Sequence, residues 1–215
     1  MIKVGIIGAS GMAGSAIYKL ASKQENLEVT GIVRNKDKAV KVLGAEANLL
    51  IGDVLSMDAA LLQDFDVLVD AFGTAPADAG EQVTLAKKLV DLAKDHDERV
   101  IFILGAGSLQ TGDDHHLLVE DIEKMPGSQE WVNTPKQQLK ELEYLRGVKD
   151  VDWVGISPSM EFEAGAETKF KLGHDELLFN DAKESKVTSG TMARVVVNEI
   201  LDPKHHQERI TVVNE

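Results

Sequence analysis

The sequence predicts an α/β protein built on a doubly wound parallel sheet, and three observations carry that expectation. Short runs rich in Val, Ile and Leu alternate with amphipathic helical stretches over most of the chain. Of the 215 residues 43% are hydrophobic but only 5% aromatic, so the core must be aliphatic, as suits strands covered by helices on both faces. The first apolar run also ends in Gly8, Gly11 and Gly14, spaced for a tight strand-to-helix turn.

Taken in order, residues 2–7 read as a strand buried on both faces, and residues 12–23 as a helix with Ala16, Ile17, Leu20 and Ala21 on one side. Residues 28–33 form a second strand, 36–43 a short helix and 47–51 a third strand, with a further helix expected from near Met57. A fourth strand, 65–71, runs into the small-residue loop Phe72-Gly73-Thr74-Ala75-Pro76. Residues 78–94 make the longest helix, burying Val83, Ala86, Leu89, Val90 and Ala93, and 99–104 a fifth strand. This alternation implies right-handed crossovers in a parallel sheet. Residues 110–131 have no firm period and are expected as a partly helical lid over the ligand cleft. A helix opens at Thr134-Pro135 and runs to Leu145, with Pro135 at its first position, and is followed by a strand at 152–156. Two short strand-like pieces at 168–172 and 176–179, a helix at 188–201 and a last strand at 208–213 complete the chain. One domain, 1–215, is expected, with 158–187 forming most of a small substrate-side lobe. The last strand is expected at an exposed edge that a second copy could pair with, so the protein is a monomer or a homodimer.

The glycine turn sits where a nucleotide's phosphates would lie. Gly8 lets the chain turn, Gly11 lets the backbone approach a pyrophosphate, and Gly14 lets the helix pack on the strand. Helix N-terminal amides, with Ala9, Ser10 and Met12 around them, would face the anion. The GxxGxxG spacing is one residue wider in its first gap than the usual fingerprint, and a tight turn without a ligand is the competing reading. At the end of the second strand a carboxylate suits the ribose of NAD, and a cation the extra phosphate of NADP. Arg34 stands there, with no acid until Asp37, so NADP(H) is preferred and NAD(H) remains possible; a solvated loop cation is the alternative. In Gly52-Asp53-Val54, Asp53 and the Val54 backbone either flank an adenine ring or Asp53 caps the next helix.

Composition excludes several classes. A net charge of −13 argues against nucleic acid or an anionic membrane as partner, since both require a basic face. The chain has no cysteine, hence no disulfide, thiolate metal site or cysteine nucleophile. The pairs His115-His116 and His205-His206 lack a third ligand at a recognisable spacing, so they read as polar loop residues and no metal is expected. No run approaches the ~20 apolar residues of a membrane span. The strand-like, glycine-rich start is unlike a targeting segment, and a soluble cytoplasmic protein is expected.

The segments GIIGASGMAGSAI, GDV (52–54), DVLVDAFG (66–73), LGAGSL (104–109), ISPS (156–159) and LGHDELL (172–178) occur in one order along nearly the whole chain. Together they resemble the atypical short-chain dehydrogenase/reductases of the NADH-flavin reductase group, within the wider NAD(P)H-binding set of NmrA-like and biliverdin reductase B-like proteins. The resemblance implies a Rossmann domain and a phosphate loop at Gly8, Ser10, Gly11 and Met12. It also implies a ribose-phosphate contact at Arg34 and a nicotinamide-side wall drawn from Ala71, Phe72, Gly73, Gly105 and Pro158. It further implies reduction of FMN or FAD as a substrate rather than a bound cofactor.

One departure bears on chemistry. Dehydrogenases of the broader superfamily use a Tyr-x-x-x-Lys pair, whereas Tyr18 and Tyr144 here are followed four residues on by Ser22 and Val148. Lys136 lies near where a family lysine would fall and either contacts the nicotinamide ribose or is a solvated helix cation. Flavin reduction fits this absence, because stacking two rings at contact distance needs shape more than an acid. Phe72, Pro158, Met160 and Phe162 are assigned that shape. Ser108 is the candidate polar contact to a substrate carbonyl, or else caps its own loop. The expected function is an NAD(P)H-dependent reductase of flavin or a similar small diffusible acceptor. The alternatives are a non-catalytic redox sensor of the NmrA type and an epimerase or dehydratase acting on a nucleotide sugar.

Overall fold

Seven strands run parallel through the centre of the protein because their residues are apolar on both faces and their connections are long enough to cross over. The computed structural model describes all residues, 1–215. In chain order the elements are β1 (Ile2–Ile7), α1 (Met12–Ala21), β2 (Leu27–Val33), α2 (Lys36–Leu43), β3 (Leu49–Ile51), β4 (Val67–Asp70), α3 (Gly80–His96) and β5 (Arg99–Ile103). They continue with β6 (Gln110–Thr111), β7 (His116–Leu117), α4 (Leu118–Lys124), α5 (Asn133–Arg146), β8 (Trp153–Ser157) and β9 (Glu161–Glu163). Last come β10 (Phe170–Gly173), β11 (Lys186–Thr188), α6 (Ser189–Leu201) and β12 (Glu208–Asn214). The main sheet has the order β10-β12-β8-β5-β4-β1-β2-β3, with only β10 antiparallel. This is the doubly wound α/β class expected.

Side-chain alternation divides the core between the two faces. Ile6, Val69, Ile101 and Ile156 pack with α1 and α6, while Ile7, Leu68, Phe102 and Trp153 pack with α3 and α5. Helix ends carry their own signals: Asn35 Oδ1 accepts from the Lys38 amide at 2.9 Å to start α2, and Asp97 adopts a left-handed conformation (φ 62°) to end α3.

Four expectations require correction. The helix expected from near Met57 is a single 3-10 turn, Ala59–Leu61, started by the Asp58 carboxylate. Residues 176–179 are not a strand: Glu176 makes one bridge to Gln110, and Leu177 instead enters a small core with Leu109, Leu118 and Ile122. That core also anchors residues 110–131, which form the β6–β7 hairpin and α4 and contribute nothing to the wall of the main cleft. Finally, β12 is interior rather than an edge. Its far side is paired by β10, from Phe170↔Asn214 to Gly173↔Thr211, so only the β9–β11 pair remains of the separate lobe.

Beneath the amino end of β5, the buried Arg99 donates to Asp152 (2.6 Å), Glu199 (3.0 Å) and the His205 carbonyl (2.8 Å), tying three elements together. Glu199 is 4% exposed, so losing Arg99 leaves its buried charge with only the His205 side chain and the Lys204 and His205 amides. Arg99→Met should therefore lower unfolding free energy by about 3–5 kcal/mol in urea denaturation, and Arg99→Met combined with Glu199→Gln by less.

Candidate functional site

At the carboxyl edge of β1, β2 and β4 lies a cleft of about 310 Å³. Its floor is the glycine turn. Gly8 has φ +72°, and a Cβ there would overlap the Ala71 carbonyl; a Cβ at Gly14 would overlap the Gly8 carbonyl. The Gly11 amide closes the turn on the Gly8 carbonyl at 2.9 Å. Helix α1 then begins with no side-chain cap and no acidic residue in its first turn, leaving its end amides and positive dipole end directed at the cleft. Ser10, Gly11 and Met12 line this end, and Arg34, Asn35 and Lys38 line the other. No Asp or Glu lines the cleft, although the chain carries 36 of them. A glycine cradle, free amides and two cations fit a pyrophosphate with one further phosphate.

The structure gathers Gly8, Ser10, Gly11, Met12, Arg34, Val54, Ala71, Phe72 and Gly73 on this wall. Ala9 and Gly14 lie behind it, Ala9 fully buried where a Cβ on Gly31 would meet it. Asp53 is exposed and its Oδ1 accepts from the Leu55 amide at 3.2 Å, so the carboxylate caps its own turn rather than a helix. Sequence reasoning missed two cations here. Lys38 lines the cleft one helical turn beyond Arg34, and Lys88 of α3 donates to the carbonyls of Val54 (2.9 Å), Leu55 (3.2 Å) and Met57 (2.5 Å). That ammonium fixes the loop whose Val54 faces the cleft.

The remaining candidates lie off this wall. Gly105 is covered by the Gln138 side chain, and Lys136 pairs with Glu123 of α4. Pro158 is buried at the end of β8, Met160 is 47% exposed, and Phe162 packs from β9 onto the α1–α6 side of the core. Ser108 is only 3% exposed: its hydroxyl donates to the Gly105 carbonyl (3.4 Å) and accepts from Arg209 Nη1 (3.2 Å). Arg209 is itself held by Asp175 at 2.6 Å, so Ser108 belongs to an internal network and not to an open site. His116 bridges Asp114 (2.6 Å) and Asp121 (2.7 Å), and those carboxylates push its pKa up to about 9.

A pair of acids missed at the sequence level lies just beneath the wall. Asp70, the last residue of β4, is 5% exposed, and its Oδ1 accepts from the Phe72 amide at 3.0 Å. It points to the α3–α5 face, where Glu141 of α5 is 3% exposed. Burial raises the Asp70 carboxyl to about 7, and burial together with the Asp70 charge raises Glu141 well above the carboxylate range.

An uncapped helix after a glycine turn, on the carboxyl edge of a parallel sheet and next to cations at the following strand end, defines a dinucleotide-binding Rossmann protein. The comparisons agree. A model of the NAD(P)H-binding family matches residues 8–203, and the chain belongs to that family. YwnB of Bacillus subtilis, itself uncharacterized, is 35% identical over 217 residues, covering 100% of this chain and 99% of its own. A Streptococcus pneumoniae structure provisionally named an NADH-flavin reductase is 26% identical with a TM-score of 0.87 and full coverage of both chains. A Bacteroides thetaiotaomicron structure provisionally named an epimerase is 28% identical with a TM-score of 0.85, covering 100% of this chain and 98% of its own.

Two outcomes follow from this geometry. At Gly11 an added Cβ meets only the Gly8 carbonyl, at 3.2 Å, so Gly11→Asp should fold with a melting temperature near that of the parent. Its carboxylate would occupy the anion position and weaken binding of a reduced nicotinamide dinucleotide at least ~100-fold, as read by fluorescence titration. The two raised carboxyls keep protons in the fold that they have lost in the unfolded chain above about pH 4, so their contribution to stability falls as pH rises toward and past 7. Glu141→Gln should flatten the decline in melting temperature between pH 5 and pH 8.

Proposed function

We propose that the protein is an NADPH-dependent reductase that passes reducing equivalents to flavin or a similar diffusible acceptor. The observation that carries this reading is a cleft joining an uncapped phosphate loop to Arg34 and Lys38 with no carboxylate on its wall. A ribose hydroxyl pair would be served by an acid at the end of β2, whereas a ribose phosphate is served by cations. The α1 amides hold the pyrophosphate, Val54 flanks the adenine, and Phe72 and Gly73 face the nicotinamide end.

A bound nicotinamide cofactor supplies a hydride in such chemistry, and the chain's part is to bind, orient and exclude water. No tyrosine, histidine or carboxyl lines the cleft. Tyr18 is buried, with its hydroxyl accepting from the Asn48 amide at 2.9 Å, and Tyr144 lies beneath Lys87 on α5. A flavin needs no such donor, because solvent can complete its protonation after hydride reaches N5. The name carried by the Streptococcus pneumoniae neighbour supports this acceptor class.

Titration with NADPH and NADH tests the cofactor preference. Arg34→Ala should weaken NADPH roughly 10- to 100-fold, the value of about 1.5–3 kcal/mol for a charge-assisted contact, and leave NADH within about twofold. Adding FMN to the NADPH complex should then bleach the reduced-cofactor absorbance faster than with Gly11→Asp. Tight NADPH binding without FMN-dependent bleaching would overturn the reductase and leave a redox sensor.

A further inference from the structure

Asp70 and Glu141 have no use in the binding scheme above, yet their placement is costly and specific. Both carboxyls lie between the sheet and α5 with almost no access to water. No cation compensates them. On α3, Lys88 is committed to the carbonyls of 54–57, Lys87 lies over Tyr144, and Lys94 pairs with Asp150 at 3.4 Å. On α5, Lys136 pairs with Glu123, Arg146 with Asp175 at 2.7 Å, and Lys140 is exposed. After burial itself, the Asp70 carboxylate raises the Glu141 carboxyl. Asp70 is also one peptide removed from the cleft wall, since its carboxylate holds the Phe72 amide and Ala71, Phe72 and Gly73 line the cleft.

We propose that the buried carboxyls of Asp70 and Glu141 form a proton-holding site beneath the nicotinamide end of the cleft, which releases a proton when the ring above it is cationic. The inference rests on the ring placement proposed above, not on the identity of the acceptor. Two buried carboxyls without a cation cannot both ionise. The oxidised nicotinamide ring carries a positive charge and the reduced ring none, so only the oxidised cofactor offers the pair the compensation it lacks. Burial raises the Asp70 carboxyl to about 7, which puts its proton near neutral pH, and raises Glu141 as well. Charge balances in turnover: hydride carries two electrons from the ring to the acceptor, the ring becomes cationic, and the pair loses one proton to solvent or to the reduced acceptor. The pair regains a proton from solvent as the oxidised cofactor leaves. Net consumption remains one NADPH and one proton per acceptor reduced by two electrons.

The test is the proton count on binding, with no turnover involved. Calorimetric titrations of the whole protein with NADP⁺ and with NADPH are run at pH 7 in phosphate and in Tris, whose ionisation heats differ. The ribose phosphate titrates in both cofactors, so its contribution cancels in the difference. NADP⁺ should release a substantial fraction of a proton more than NADPH. Its affinity should rise with pH between 6 and 8, by up to about tenfold per unit, while that of NADPH changes far less. Asp70→Asn, which keeps an acceptor for the Phe72 amide, should abolish the difference, and Glu141→Gln should reduce it, both while still binding NADPH. Equal proton counts for the two cofactors in the parent protein, or an unchanged difference in a folded Glu141→Gln, would overturn the proton site alone. Absence of binding by either cofactor would overturn the placement of the cofactor and the inference with it.

Discussion

The structure depends on one steric constraint, the passage from β1 into α1 without side chains in the way. The Gly8 backbone lies against the Ala71 carbonyl at the end of β4, and Gly14 lies against the Gly8 carbonyl, so strand, helix and neighbouring strand share a single contact point. Closing that point brings three things to one place: the free amides of α1, the end of β2 with Arg34, and the end of β4 with Phe72. The site follows from how close two backbones can come. A methyl group at Gly8 or Gly14 would separate the parts.

Much of this was legible in the sequence because its signals are local. The apolar run 2–7, the glycines after it and the amphipathic stretch that follows specify strand, turn and helix within the first two dozen residues, and Arg34 is found by counting to the end of the next strand. What stayed hidden depends on contacts distant in sequence. Lys88 grips carbonyls more than thirty residues earlier in the chain, and no local pattern announces that. Asp70 and Glu141 share the α3–α5 side of the core only because β4 and α5 contribute to one apolar cluster, and Asp70 reads as the polar end of an apolar strand. Ser108 lies in a loop that resembles a site, but its hydroxyl is committed to Arg209, about a hundred residues away. The interior place of β12 was equally unreadable, since Ile210, Val212 and Val213 would look the same at an edge.

The buried charges gather at the two ends of the sheet. At the amino end of β5, Arg99 gathers Asp152, Glu199 and the His205 carbonyl into a compensated network that closes the bottom of the fold. At the carboxyl ends, Arg209 is compensated through Asp175, whereas Asp70 and Glu141 are not compensated by any residue of the chain. At the amino end, too, Glu98 keeps a buried carboxylate with no hydrogen-bond partner, so uncompensated acids occur at both ends of the sheet.

The contrast between a cleft walled only by neutral and basic side chains and a molecule of net charge −13 also shapes encounter kinetics. An anionic cofactor approaching from solution meets a repulsive far field before it comes within reach of Arg34 and Lys38, whose attraction extends only about a Debye length, ~8–10 Å at ordinary ionic strength. Added salt therefore acts in two opposed ways, easing the approach while loosening the final grip.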